Sequence, residues 1–195
     1  MHVVAINGGH NCEGITARVL RSALEVLQEQ GVSYEFIQIG GTGLKGCKHC
    51  DMCRRNKEWR CAIRGDELND IIMKMHKADG IVIASDVVFN NISPEIKAFI
   101  DRVIYCGRAK VRTGGGTPFE NKLGMQVVVS DGTATINAFL SLLKLFNVSE
   151  MIVPMNTGWN AVLGRDDDAE ITDAKGLARI EEAAKIFADN LKKLN

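Results

Sequence analysis

Four of the chain's six cysteines fall in one short stretch, GCKHCDMCRRNKEWRC (46–61). Cys47, Cys50, Cys53 and Cys61 are spaced C-x2-C-x2-C-x7-C. Three thiols at steps of three in one loop can aim at a single centre, as ferredoxin-type runs do for iron–sulfur clusters. The fourth cysteine lies eight residues on with no proline after it, unlike the ferredoxin ending. Structural zinc more often takes two separated C-x2-C pairs, although soft thiolates accept either metal. The spacing therefore points to a 4Fe–4S cluster and leaves zinc, or free redox-switching thiols, open. Lys45, Lys48, Arg54, Arg55, Lys57 and Arg60 flank the cysteines. They can offset a negative cluster or dock an acidic electron carrier, or simply form a solvated face. Trp59 is placed to shield a cluster, His49 reads as an exposed loop residue, and Cys12 and Cys106 read as structural thiols apart from the set.

A second chemistry is carried by three other loops. NGGHNCEGIT (7–16) lacks both G-x-G-x-x-G and the Gly-Lys-Ser/Thr end of a P-loop. It runs through Gly8 and Gly9 to Gly14, Ile15 and Thr16 at a helix start, where free N–H groups and the helix dipole suit one phosphate. With no Lys or Arg in it, the loop fits a monophosphate held by backbone; a plain turn between strand and helix is the alternative. SDVVFNNISP (85–94) offers Val87, Val88 and Phe89 as an apolar shelf beside Asp86, with Asn90 and Asn91 as donors. SDGTAT (130–135) brings Ser130, Asp131 and Gly132, the glycine permitting close backbone approach. Together these loops suggest flavin mononucleotide (FMN).

These residues need a scaffold that gathers them. Short apolar runs at 2–6, 33–39, 80–85, 124–130 and 151–155 read as strands. Helical spacing fills 15–30, 66–78, 93–105, 133–146 and 172–194, with Asp66 and Ser93 as candidate caps and Asn69 three residues after Asp66. Alternation of this kind predicts one α/β domain over 1–195, a doubly wound five-stranded parallel sheet in flavodoxin-like order 2-1-3-4-5. A cysteine loop (44–62) is inserted after the second strand. A long Gly-rich loop (107–123) is expected to cover the flavin edge and admit substrate, or else merely to connect. With 24 basic and 24 acidic residues in 195, no charge excess points to nucleic acid. No signal-like N-terminus and no long apolar run is seen, so the expectation is a cytoplasmic protein with reduced thiols and no membrane partner.

The run SDVVFNNISPEIKAFIDR (85–102) resembles a stretch of the NADPH-dependent FMN reductase superfamily, and Gly8 to Thr16 is similar to its phosphate loop. The cysteine cluster and DAKGLARIEEAAKIFADNL (173–191) resemble the iron–sulfur flavoproteins, a branch of that superfamily. Gly9, Asn11, Asp86 and Val88 depart from the usual Ser, Arg, Pro and Tyr, which removes side-chain contacts to the flavin and leaves backbone ones. The resemblance implies one FMN on Gly8, Gly9, Gly14, Ile15, Thr16 and Asp86 to Asn90. It also implies one 4Fe–4S cluster on Cys47, Cys50, Cys53 and Cys61, with flavin and cluster meeting across subunit contacts in a homodimer or homotetramer.

The leading expectation is a redox protein that passes electrons between NAD(P)H or a one-electron carrier, ferredoxin-like or small, and an acceptor. A flavin handles electron pairs and an iron–sulfur cluster single electrons. The alternatives are an NAD(P)H-dependent FMN or quinone reductase without a cluster, and a zinc-stabilised, non-catalytic binding module. No Ser-His-Asp set or paired carboxylates support hydrolysis, and no catalytic residue is singled out.

Overall fold

The computed structural model describes residues 1–111, 114–132, 135–156 and 158–195. Strands β1 (His2–Asn7), β2 (Ser33–Gln38), β3 (Gly80–Val88), β4 (Asn91–Ile92), β5 (Leu123–Ser130) and β6 (Ala161–Leu163) alternate with helices. The helices are α1 (Ile15–Glu29), α2 (Met52–Asn56), α3 (Leu68–Lys77), α4 (Pro94–Gly107), α5 (Thr135–Val148) and α6 (Ala174–Leu194). The sheet order is β2-β1-β3-β5-β6, all parallel, and β4 pairs antiparallel with β3 alone. With β4 set aside, this is the doubly wound order the sequence predicts.

Side chains on a strand alternate between faces, and here that alternation feeds two cores. Val4 and Ile6 of β1 and Ile81 and Ile83 of β3 pack with α3, α4 and α5. Their neighbours Val3, Ala5, Val82 and Ala84 pack with α1 and α6. Strands buried on both faces explain why the sequence shows continuous apolar runs rather than alternation.

Three strand and loop expectations are corrected. β3 does not end at Ser85: Asp86 to Val88 stay in the strand, and Phe89 and Asn90 turn a hairpin at positive φ (43° and 66°). The fifth parallel strand is Ala161–Leu163, not 151–155; Ile152 makes only a lone bridge to Leu123. Pro154 has no N–H to continue a ladder, and the chain rejoins the sheet where Val128 donates to Asn160. Residues 107–111 and 114–123 of the Gly-rich loop lie at the edge where parallel strands begin, since α4 must run back before β5 can start. There Leu123 donates to the carbonyl of Asp79, His76 bonds the Pro118 carbonyl and Lys110 sits over Trp59. These residues therefore cannot cover the opposite edge. Arg112 and Thr113 of that loop, and Thr133 and Ala134 at the expected start of α5, lie outside the described residues.

The caps also differ in detail. Ser93 stands at the N-cap of α4, but its side chain makes no capping bond. Asp66 accepts from the Leu68 N–H yet is taken up chiefly by Arg102, and Asn69 turns to Cys61. Among the described residues no helix is long and apolar enough to cross a membrane.

Candidate functional site

In a parallel sheet the loops after the strand ends share one edge, and ligands collect there. β1 ends in Asn7, fully buried, whose amide organises the loop that follows. Asn7 Nδ2 donates to Gln38 Oε1 at 2.6 Å, and Asn7 Oδ1 accepts from the Gly9 N–H at 3.3 Å. Gln38 Nε2 in turn donates to the Gly9 and Gly40 carbonyls, each at 2.7 Å. The amide pair thus ties the ends of β1 and β2 into one platform. Gly14 then caps α1 without a side chain.

The turn into α1 already grips an anion, and the anion is the protein's own. Asp166 Oδ1 accepts from the Thr16 N–H at 3.1 Å, and Oδ2 from the Asn11 N–H at 3.0 Å. Its carbonyl accepts from the Ile15 N–H at 3.3 Å. A Cβ on Gly9 would stand 2.6 Å from Thr16 Cβ and 2.9 Å from Asp166 Oδ1; one on Gly14 would stand 2.6 Å from the Asp166 carboxylate. Glycine at both positions is what lets an acidic group reach the backbone. Thr16 is fully buried, and its hydroxyl has no partner. A buried donor without an acceptor is costly, and a phosphate with three acceptor oxygens would satisfy it. Glu13, which adds a negative charge beside this nest, is paired with Arg21 at 3.2 Å.

A cleft of about 520 Å³ opens beside the nest, lined among others by His10, Asp86, Val87, Ser130, Asp131 and Arg165. Burial, and then the nearby Asp166 charge, push the Asp86 carboxyl up to about 6. An adjoining hollow of about 410 Å³ is lined by Ile136, Phe139, Trp159, Leu163 and Arg179. The Phe139 and Trp159 rings meet edge to face there at 4.6 Å.

Of the residues proposed for FMN, Gly8, Gly9, Gly14, Ile15 and Thr16 form the loop and first turn beneath the cleft, while Asp86, Val87, Ser130 and Asp131 line it. Val88, Phe89 and Asn90 stand on the hairpin beyond the cleft wall, with Phe89 99% exposed. Gly132 turns at φ 104° and donates to Ser130 Oγ. The segment Gly164–Asp167 is a wall of the cleft that the motif reading missed. The acidic run RDDD (165–168) stands out in the sequence, but with the last strand expected at 151–155 nothing there places it on the ligand edge.

The cysteine loop builds a second site. Cys47, Cys50, Cys53 and Cys61 line one narrow cavity with Arg102, Tyr105 and Cys106 of α4. Cys106 is thus not apart from the set. It is buried against Cys53 and Cys61, and burial pushes the Cys53 and Cys106 thiols above their ordinary range. Trp59 does not line the cavity; it packs on His76. N–H groups already aim at sulfur: His49 N to Cys47 Sγ at 3.4 Å, and Arg102 Nε to Cys61 Sγ at 3.3 Å. Cys61 is locked to α3 by Asn69, which accepts from its N–H at 2.7 Å and donates to its carbonyl at 3.1 Å. The loop winds tightly, with His49, Asp51 and Lys57 all at positive φ, a conformation costing about 1 kcal/mol or more for each. Such a donor set suits a soft metal or an iron–sulfur cluster. Among the described residues no group of three ligating side chains stands ready to hold a metal ion, so the sulfurs would have to draw together around one.

Arg102 to Cys106 lie about 12–18 Å down α4 from its start beside the cleft, at 1.5 Å per residue. The cysteine loop leaves the end of β2, but its thiols do not stay at the cleft: the loop descends along the α3 and α4 face.

Residues 1–164 match the family model described as NADPH-dependent FMN reductase. Over 102 residues the chain is 37% identical to an iron–sulfur flavoprotein of Methanocaldococcus jannaschii, a match covering 52% of this chain and 51% of that one. The chain thus spans about half the length of that relative. It is 29% identical over 200 residues to an iron–sulfur flavoprotein of Archaeoglobus fulgidus, covering 98% of each. A flavodoxin from the domain Archaea superposes with a TM-score of 0.61 at 11% identity, over 98% of this chain and 99% of that one.

Proposed function

The chain belongs to the NADPH-dependent FMN reductase family, and from that premise we propose that it is a flavin-dependent redox protein whose cysteine loop holds a 4Fe–4S cluster. The observation that carries the reading is that all four thiols of the loop line one cavity. FMN would supply two-electron chemistry and the cluster one-electron chemistry, so that a paired donor such as NAD(P)H and a single-electron carrier can be joined.

The chain's own residues fit an FMN phosphate at the β1–α1 turn. Asn11 and Thr16 offer N–H groups that already hold a carboxylate, and Thr16 adds a buried hydroxyl that lacks an acceptor. Asp166 must leave for a phosphate to enter, since two anions cannot share one nest. Cys47, Cys50, Cys53 and Cys61 would hold the cluster. Partners of this reading are a small or ferredoxin-like electron carrier and a second copy of the chain, because the two sites of one chain lie apart along α4.

Anaerobic purification with iron supplied tests this. Close to four iron and four acid-labile sulfide per chain, with one FMN, is expected. Cys50→Ala should lose iron and sulfide and keep FMN. A cluster-free reductase is the second reading, favoured by sulfurs that do not converge on a metal; FMN with neither iron nor sulfide would establish it. Zinc at one per chain without sulfide or flavin would instead indicate a binding module.

A further inference from the structure

We propose that Arg102 is the positioning residue of the cysteine loop and that its donation to Cys61 raises the reduction potential of the cluster held there. This rests on the cluster reading above. Arg102 is fully buried, and every N–H of its guanidinium is used. Nε donates to Cys61 Sγ at 3.3 Å. Nη1 donates to the Lys45 carbonyl at 3.1 Å and to Asp66 Oδ2. Nη2 donates to Asp66 Oδ1 at 3.1 Å and to the Ile63 carbonyl at 3.5 Å.

Those partners span the whole insertion. Lys45 precedes the first cysteine, while Cys61, Ile63 and Asp66 close the loop onto α3. One rigid, planar side chain on α4 therefore sets both ends of the cysteine segment, which a flexible ammonium could not do. Asp66 neutralises the charge that burial would otherwise penalise. With both Nη groups committed to the loop, the remaining N–H points at sulfur.

A cluster gains one electron on reduction and becomes more negative by one charge. An N–H donor on a ligating sulfur stabilises that added charge, so it shifts the potential upward. Three consequences separate this from a purely structural staple. Arg102→Lys, which keeps the charge and loses the Nε–H, should shift the potential downward. Asp66→Asn, which leaves the guanidinium uncompensated, should shift it upward. A staple with no electronic role would reduce cluster occupancy in both variants and leave the potential of the retained cluster unchanged.

The experiment is an anaerobic dithionite titration of the holoprotein and of both variants, followed by electron paramagnetic resonance, with FMN content as the check that each variant is folded. It is paired with a measurement on the unaltered protein, which no folding defect can confound. Arginine labelled with 15N only in its guanidinium should give the reduced cluster a nitrogen hyperfine coupling. Shifts of opposite sign together with the coupling are expected. If either variant fails to fold, the coupling and the other variant decide. Unchanged potentials in the folded variants, or no coupling in the unaltered protein, would overturn the proposal while leaving the cluster in place. An unaltered protein that takes up no iron and sulfide would overturn the cluster reading itself, and this inference with it.

Discussion

Single atoms decide how the ligand edge behaves. The Thr16 hydroxyl is buried without an acceptor, so donation to a charged phosphate should contribute about 1–3 kcal/mol. Thr16→Val should accordingly weaken FMN binding by roughly 10-fold, read by fluorescence quenching. Asp166 competes for the same N–H groups, so Asp166→Asn should tighten FMN several-fold and leave riboflavin, which has no phosphate, unchanged. Equal effects on the two flavins would mean that Asp166 does not occupy the phosphate position. Asp86 contributes a pH dependence. Its carboxyl is pushed up to about 6 from 3.8, by burial and then by Asp166, with Glu95 adding to the rise and His10 opposing it. The folded state then binds the proton more tightly than the unfolded chain. The associated stability is fully present below pH 3.8 and is lost as pH rises through 6. In flavin-free protein, Asp86→Asn should be more stable than the parent at pH 7.5, by about 1 kcal/mol once solvent screening is discounted, and closer to it at pH 4.5. Urea denaturation at both pH values measures this; a gain of the same size at each would assign it to packing instead.

At the scale of elements, connection order outweighs local composition. The loop between α4 and β5 is long, Gly-rich and basic, which are the marks of a substrate lid. Its position is set by α4, which must carry the chain back across the sheet before a parallel β5 can begin. Phe119 anchors the loop as a fully buried ring, and Thr117 donates to the Ser149 carbonyl. Removing Gly114 to Gly116 should therefore cost stability, seen as a lower Tm, and leave FMN affinity within about twofold. A large change in affinity at constant Tm would return the loop to the flavin edge. The hairpin of β3 and β4 has the same origin. Apolar Val87 and Val88 read as a shelf for a ring, but paired with Ile92 and Asn91 they stay in the strand, so that Val87 lines the cleft and Val88 stands beyond it.

Over the whole molecule, the cleft sits at the ligand edge of the sheet and the cysteine cavity lies on the face of α4. If the proposed cluster is present, its removal by a chelator should leave FMN affinity within about twofold, since among the described residues the linings of the two sites share no side chain. The sequence by itself determined the strand–helix alternation, the doubly wound order and the likeness to the FMN reductase family. Buried strands and amphipathic helices announce themselves by period, and reactive residues by type and spacing. Only the tertiary structure decided that Asp166 fills the anion nest, that Cys106 and Arg102 join the four loop thiols, and that the Gly-rich loop lies away from the cleft. Asp166 meets Thr16 across 150 positions, and Arg102 meets Cys61 across 41. Contacts of that length depend on how crossovers stack the layers, and no local pattern in the chain encodes them.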